Sequence, residues 1–176
     1  MIDLLIDQHA QIRDLFALVA DSTADERRDA FERLVRLLAV HETAEEEIVH
    51  PLAKRSLPGG EGIVADRLTE ERQAKELLAE LDGMGTDDPR FLTMLNRLRI
   101  DVLTHARSEE RYEFERLRDQ FSETQRRALA IAVRAAEATA PTHPHPGTET
   151  ATRNILAGPP FAIADRVRDL IRKAMK

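Results

Sequence analysis

The sequence predicts an all-α protein, built as an antiparallel up-down-up-down four-helix bundle with an additional C-terminal helix or two. Apolar residues recur every three or four positions over most of the chain, which is the spacing of amphipathic helices. Short groups of turn residues separate these segments, and short connections between long helices are typical of a bundle. At 176 residues, the chain has the length of one compact domain.

The first two helices are predicted from apolar stripes. The first covers about residues 2 to 20, and the second begins after Thr23, which forms a capping-box pattern with Glu26. The second helix continues to the turn sequence LPGGEG at 57 to 62. The residues on the two inward stripes are Ile2, Leu5, Ile6, Ile12, Phe16 and Val19, then Phe31, Leu34, Val35, Leu38, Ile48 and Leu52.

The third and fourth helices flank the segment GMGTDDP at 83 to 89. The third is predicted at about 63 to 82 and the fourth at about 89 to 119, with Asp88 as N-cap and Pro89 at the first helical position. Their stripes are Ile63, Val64, Leu68, Leu77, Leu78 and Leu81, then Phe91, Leu95, Leu98, Val102 and Tyr112. Residues 1–120 therefore form the predicted bundle.

The chain beyond residue 120 is predicted to be less regular. SETQ at 122 to 125 is a capping box that starts a shorter helix within 121–139. Residues 140–160 are rich in Pro, Gly and Thr and are expected to form a linker. Residues 161–176 return to helical periodicity as an amphipathic helix, which we expect to dock on the bundle. An oligomer contact or a membrane-surface contact is the alternative.

Composition excludes several classes of function. The net charge of −6 offers no basic surface for a phosphate backbone, so no nucleic-acid partner is expected. Without cysteine, a metal would have to be held by histidines and carboxylates. No apolar run approaches the ~20 residues that span a bilayer, and the N-terminus lacks a basic region followed by an apolar one. We therefore expect no membrane span and a cytoplasmic protein.

Histidines and glutamates interrupt the predicted apolar stripes at similar depths. His9 continues the stripe of the first helix, His41 and Glu45 continue that of the second, and His105 and Glu109 continue that of the fourth. The segments LAVHETAEE and VLTHARSEE align through this His-x-x-x-Glu unit, so the chain contains it twice. The pattern predicts a layer of ionisable side chains inside the bundle.

Metal binding explains this layer at the lowest energetic cost. A His and a Glu one helical turn apart can act as adjacent ligands of one cation or of a bridged pair. Left buried without partners, such groups would each cost several kcal/mol. A lone inward histidine is more often a hydrogen-bonded core residue, and a metal-free polar network is the alternative here. Five inward residues at matched depth favour a metal.

The third helix offers Glu70 and Glu71 to the same layer. The mean direction of its apolar residues places Glu71 nearer the centre of the buried face and Glu70 nearer its edge. Arg67 is also close to this face and could pair with a carboxylate. Which of the two glutamates is the ligand stays open, as does the alternative that both are solvated or salt-bridged.

His9, HETAEE at 41 to 46 and HARSEE at 105 to 110 resemble the hemerythrin-like proteins of the HHE cation-binding family, over about residues 1 to 120. The resemblance implies a four-helix bundle around two non-haem irons, bridged by oxo or hydroxo groups and by carboxylates. The positions that match ligands of the family are His9, His41, Glu45, His105 and Glu109. Glu42 matches an additional ligand of some iron-sensing relatives.

The chain departs from the family pattern in the third helix. The family usually has Glu followed by His there, whereas this chain has Glu70 followed by Glu71, so Glu71 occupies the histidine position. A carboxylate is a harder ligand than an imidazole and favours ferric iron. This departure makes reversible oxygen carriage less favoured and redox chemistry at iron more favoured.

The leading hypothesis is a protein whose iron centre reacts with peroxide in a catalase-like reaction, or with O2 or NO. Tyr112 is expected on the same face as His105, where it could act as a catalytic residue by hydrogen-bonding an iron-bound oxygen species or carrying an electron. Alternatively it is a core residue.

Two other functions are the alternatives. One is an iron or oxygen sensor or storage protein without turnover, and the other is a metal-free helical interaction bundle. Enzymatic turnover, a mono- or dinuclear site and the oligomeric state stay open.

The remaining histidines are assigned outside the site. His50 follows His41 by nine positions, which turns it to the opposite side of an α-helix. It is therefore predicted at the surface or at a helix end. His143 and His145, in the sequence HPHP, are expected to be solvated in the linker.

Overall fold

The computed structural model describes residues 1–138, which fold into five helical rods with no strand among them. We call these rods the first to fifth helices. Their bounds are Ile2–Asp21 for the first, Ala24–Ala44, Glu45–Val49 and His50–Ser56 for the second, Gly60–Asp82 for the third, Phe91–Glu109, Glu110–Phe114 and Glu115–Gln120 for the fourth, and Glu123–Glu137 for the fifth.

The first four helices form the predicted antiparallel bundle. The first helix packs against the second and the fourth, and the third packs against the same two from the other side. Gly59 permits the short turn between the second and third helices, because its φ of 73° lies in the left-handed region. None of the helices in the described part of the chain is long and apolar enough to cross a membrane.

The second and fourth helices each contain one π-helical turn, at Glu45–Val49 and Glu110–Phe114. A π-turn has about one more residue than an α-helical turn, so it rotates all later side chains relative to the α-helical spacing. Both π-turns begin at the glutamate layer of the repeated His-x-x-x-Glu unit. They therefore change which residues face the interior beyond Glu45 and Glu109.

Two apolar clusters fill the bundle on either side of this layer. One contains Ile12, Phe16, Leu38, Phe91 and Leu98, and the other contains Leu5, Ile48, Leu52, Phe114 and Leu117. In each helix the ionisable residues come between members of the two clusters. The polar layer is thus enclosed by apolar side chains at both ends, which keeps water away from it and raises the cost of any unpaired charge.

The fifth helix begins at the predicted capping box. Gln125 donates its backbone N–H to the Ser122 hydroxyl, and the Gln125 side chain accepts from the Ser122 backbone N–H at 2.8 Å. The helix packs against the first and second helices and buries Leu129 and Val133 in the second apolar cluster. The predicted linker at 140–160 and helix at 161–176 lie outside the described residues.

Two predicted helix starts differ from the structure. Thr23 is the N-cap of the second helix, as predicted, but its side chain makes no capping hydrogen bond, so the capping box is wrong. The fourth helix begins at Phe91 rather than at Pro89. Asp88 instead accepts the backbone N–H of Arg90 at 2.8 Å, in the turn that precedes the helix.

Candidate metal centre

The polar layer brings together ionisable side chains from all four bundle helices. His9, His41, Glu45 and Glu109 are buried, and each offers one ligand atom such that these atoms lie within 4.8 Å of one another. The His41 Nε2 is 3.1 Å from Glu45 Oε1, and the His9 Nε2 is 3.4 Å from Glu109 Oε2. We call these four residues the first group.

Glu45, Glu71 and His105 form a second group within the same distance limit. The His105 Nε2 is 3.4 Å from Glu109 Oε2 and 3.9 Å from Glu45 Oε2. Glu45 therefore belongs to both groups, and Glu109 lies beside both. Carboxylates in such shared positions can bridge two cations, so the arrangement has the ligand atoms for one cation or for a bridged pair.

Each of the three histidines is held by a hydrogen bond at its other ring nitrogen. The Nδ1 atoms of His9, His41 and His105 lie 2.8 Å from Glu110 Oε1, 2.8 Å from Gln8 Oε1 and 2.9 Å from Glu70 Oε2. These three partners are oxygen acceptors, so Nδ1 carries a proton and donates it. The Nε2 atoms, which are then available as ligands, all face the shared glutamates. This is the usual arrangement around metal-binding histidines.

The atoms at the centre of the layer lack hydrogen bonds. The Nε2 atoms of His9 and His105 and both carboxylate oxygens of Glu45 and Glu109 are buried and have no hydrogen-bond partner among residues 1–138. Leaving several such atoms unsatisfied in one place is energetically costly. A cation bound between them would satisfy all of them at once, so the residues fit a metal site.

Electrostatics within the layer also favour a cation. Burial raises the pKa of Glu109, and the neighbouring charge of Glu45 raises it further, although His105 and His9 oppose this shift. Burial also tends to raise the pKa of Glu45, but His41 and His105 outweigh it and bring that pKa well below its usual value. Two carboxylates this close cannot both be ionised without a strong source of positive charge.

The buried glutamates also shift the pKa values of two histidines. Burial would lower the pKa of His9, but Glu109 and Glu45 outweigh it and raise that pKa. His105 is affected in the same way, with Glu109 as the largest opposing charge, and its pKa is raised well above the usual value. Without a metal, protons on the imidazoles therefore provide part of the compensating positive charge.

Glu71 lies inside the layer and Glu70 at its edge, the order that the sequence predicts. Glu71 is 2 % exposed and belongs to the second group. Glu70 is partly exposed, accepts from His105 Nδ1, and lies 2.9 Å from an Arg67 guanidinium nitrogen. The structure thus gives Glu71 a position suited to a metal ligand and gives Glu70 the role of orienting His105.

Glu42, considered above as a further ligand, lies against a lysine. Its Oε2 is 3.6 Å from Lys75 Nζ, and Lys75 also contacts the buried Glu46. Burial raises the pKa of Glu42 to about 8, and Lys75 opposes that shift. Glu42 is absent from the ligand groups found among residues 1–138. Glu46 is likewise buried, beside the same lysine.

The predicted position of Tyr112 is wrong. Its side chain is 48 % exposed, whereas the sequence places it on the inward face with His105. Seven α-helical residues would bring Tyr112 back to that face, but the π-turn at Glu110–Phe114 changes the phase before the second turn is complete. Glu113 and Phe114 face inward instead, and the Phe114 ring stacks on His9 with centroids 5.7 Å apart.

The predicted exposure of His50 is also wrong. His50 is buried, and its Nε2 lies 2.5 Å from Glu71 Oε1. In the π-turn at Glu45–Val49, the His50 backbone N–H donates to the Glu45 carbonyl five residues earlier, so His50 is rotated relative to its α-helical position. Regular α-helical periodicity gives no sign of this. His50 and Glu113 are therefore buried next to the ligand groups although the sequence does not predict it, as are Glu46 and Lys75 on the second and third helices.

A cavity of about 20 Å³ adjoins the two groups. This is enough space for about one water-sized molecule. Its polar wall includes His9, His41, Glu45, Glu71 and His105, and its apolar wall includes Ile12, Leu38 and Val102. Partly exposed Glu70 and exposed Asp101 also line it, so the cavity approaches the surface between the third and fourth helices.

Comparison with known proteins gives three similarities. Residues 1–117 match the family model described as the hemerythrin HHE cation-binding domain. A solved hemerythrin HHE cation-binding domain-containing protein from Mycobacterium kansasii has 18 % identity and a TM-score of 0.67, covering 78 % of this chain and 87 % of that one. A DNA nickase from Nostoc is 26 % identical over 136 residues, which are 77 % of this chain and 38 % of the Nostoc protein.

Proposed function

Since the chain belongs to the hemerythrin HHE cation-binding family, we propose that it binds non-haem iron, as a bridged pair, and reacts with small oxidants. The oxidant proposed first is peroxide, in a catalase-like reaction, with O2 and NO as further ligands of the same centre. The observation that carries the proposal is the shared orientation of three histidines. Each has Nδ1 on an oxygen acceptor and Nε2 toward the buried glutamates.

The ligand chemistry supports iron. The two groups contain three imidazoles and three carboxylates and no sulfur, a set that suits iron in either of its common oxidation states. Glu71 supplies a carboxylate from the third helix, so the centre is richer in hard ligands than one with an imidazole at that position. Carboxylate-rich centres in helical bundles are typical of iron proteins that carry out redox chemistry.

Different residues would bind the iron, orient its ligands and exclude water from the site. His9, His41, His105, Glu45, Glu71 and Glu109 would be the ligands. Gln8, Glu70 and Glu110 orient the imidazoles through Nδ1. The apolar clusters above and below exclude bulk water from the layer. When bound, the iron pair would supply an open coordination position and exchange electrons with the oxidant.

The cavity supports a small substrate. Its volume of about 20 Å³ has room for about one water-sized molecule, so it excludes large substrates, and its carboxylate-rich wall disfavours anions. Peroxide, O2 and NO are uncharged and have only two heavy atoms each. By contrast, a net charge of −6 weakens contact with a phosphate backbone, so the DNA-nicking activity named for the Nostoc relative is not favoured for this chain.

Oxygen evolution from peroxide tests the proposed reaction. Iron-loaded wild type and the surface control Glu32→Gln should evolve oxygen faster than the same concentration of free iron. Glu109→Gln should lose that activity, because it removes a carboxylate ligand of the first group that also lies beside the second. If loaded wild type is no faster than free iron, the catalase-like reaction is wrong. An absorption change on adding NO or O2 would then separate binding of these ligands from an iron sensor or storage protein.

A further inference from the structure

We propose that His50, Glu109 and Glu113 form an additional cation-binding subsite, next to the two groups that would hold the iron pair. The proposal rests on the proposed function, since Glu109 is shared with the first group. One ligand atom from each of the three residues lies within 4.8 Å of the others. His50 comes from the second helix and Glu109 and Glu113 from the fourth, so the subsite joins the two helices that carry π-turns.

The burial of these three residues is difficult to explain without a ligand. Glu109 and Glu113 are each 0 % exposed and His50 is 3 % exposed. The His50 Nδ1 and all four carboxylate oxygens of the two glutamates have no hydrogen bond to the described residues. Buried polar atoms are rarely left in this condition. Here five of them belong to the three residues of one cluster of ligand atoms, and a cation bound there would give these residues a partner.

Arg67 alone does not account for the arrangement. Its Nε is 3.6 Å from Glu113 Oε1, which is longer than a hydrogen bond, and its Nη1 is 2.9 Å from Glu70. One guanidinium therefore faces carboxylates on two sides. It can reduce the repulsion between Glu109 and Glu113, but it does not satisfy their oxygens.

The subsite shares residues with the rest of the centre. Glu109 faces His9 and His105, and His50 contacts Glu71 of the second group at 2.5 Å. The three clusters of ligand atoms are thus linked by carboxylates, as in centres where several cations are held close together. Imidazole nitrogen with carboxylate oxygen selects divalent transition ions such as Fe(II), Mn(II) or Zn(II) over Mg(II).

The two π-turns explain why this subsite exists. An uninterrupted α-helix would turn His50 away from His41 and Glu45. In the second copy of the repeated unit, the position equivalent to His50 is Phe114, nine residues after His105. The chain therefore has an imidazole at one of two equivalent inward positions, and a buried glutamate, Glu113, beside the other.

Anomalous diffraction from crystals of the iron-loaded full chain tests the subsite. A peak within metal-ligand distance of His50 and Glu113, in addition to density at the first group, would support it. Density at the first and second groups without a peak beside Glu113 would overturn the subsite and leave the proposed function standing. Loaded crystals without metal density at the first group would overturn both.

Metal content gives a second measurement. Glu113→Gln preserves size and should bind about one divalent ion fewer per chain than wild type, since it removes a ligand from only one subsite. His50→Gln, which can still donate a hydrogen bond to Glu71, should show the same loss. The exposed neighbour Glu115→Gln should not. Unchanged metal content in folded Glu113→Gln and His50→Gln, measured by mass spectrometry of metals after loading with Mn(II), would contradict the subsite.

Discussion

His9 of the first helix and Glu109 of the fourth face each other across the bundle, with 3.4 Å between the imidazole Nε2 and the carboxylate Oε2. Neither atom forms a hydrogen bond with the described residues, although both are buried. His41 and Glu45 place further ligand atoms within 4.8 Å of these two. The buried layer therefore has the spacing expected of side chains that share a cation.

Replacing a shared carboxylate should reduce iron binding sharply. Glu45 takes part in both groups, so Glu45→Gln removes a ligand from two positions at once. We expect iron retention to fall at least about tenfold, since even the loss of an outer-sphere partner commonly has that effect. The measurement is iron per chain after gel filtration. Glu32→Gln, an exposed change on the same helix, should retain wild-type iron; equal loss in both variants would argue against a specific role of Glu45.

Tyr112 should be dispensable. Its side chain is half exposed and lies outside the polar layer, so Tyr112→Phe should change peroxide turnover by less than about twofold, equivalent to under ~0.5 kcal/mol in the barrier. Initial rates of oxygen evolution by the iron-loaded variant measure this. A loss of tenfold or more would show that Tyr112 reaches the centre in solution.

The buried lysine should contribute to stability independently of metal. Lys75 contacts Glu42 and Glu46, and all three side chains are at least nine-tenths buried. Removing the cation in Lys75→Met leaves buried carboxylates without that partner, which should lower the free energy of unfolding by ~3–5 kcal/mol. Urea unfolding of the metal-free proteins measures the change.

Lys54→Met is the matched control for this lysine. Lys54 forms an exposed pair with Glu61 at 3.5 Å, and such pairs contribute less than about 1 kcal/mol. If both methionine variants unfold at the same urea concentration, the buried ion pairs do not stabilise the fold.

Metal binding should release protons. The pKa values of His9 and His105 are raised in the metal-free protein, so these imidazoles hold protons that a cation must displace. Protons compete more strongly at low pH, and the apparent affinity for Fe(II) should therefore rise between about pH 6 and pH 8. Calorimetric titration in buffers with different ionisation enthalpies counts the released protons. Affinity independent of pH, with no proton release, would contradict direct binding to these imidazoles.

The sequence predicts which residues face inward correctly up to the two π-turns and wrongly after them. His9, His41, Glu45, His105 and Glu109 precede these turns or lie at their start, and α-helical spacing was sufficient to place them inward. His50 and Tyr112 come after a π-turn begins, and the same spacing placed both on the wrong side of the helix. A π-turn depends on packing across the whole bundle, so a single sequence gave no means to anticipate it.

The residues that surround the His and Glu layer differed in how well the sequence predicts their positions. The order of Glu71 and Glu70 followed from the mean direction of the apolar stripe in the third helix. Contacts between helices, such as Gln8 with His41 or Lys75 with Glu46, depend on how the rods are rotated against each other. The fold class and most of the inward layer were therefore predictable, whereas the residues that orient and neutralise it were not.

The ratio of iron to protein, measured together with the visible spectrum, shows whether the buried His and Glu layer is an iron centre. Protein purified without chelators from iron-replete cells should contain two or more iron atoms per chain and should show absorption from an oxo-bridged ferric pair. Only trace iron, with no such absorption after anaerobic loading with Fe(II) and exposure to air, would contradict the assignment of this layer as an iron centre.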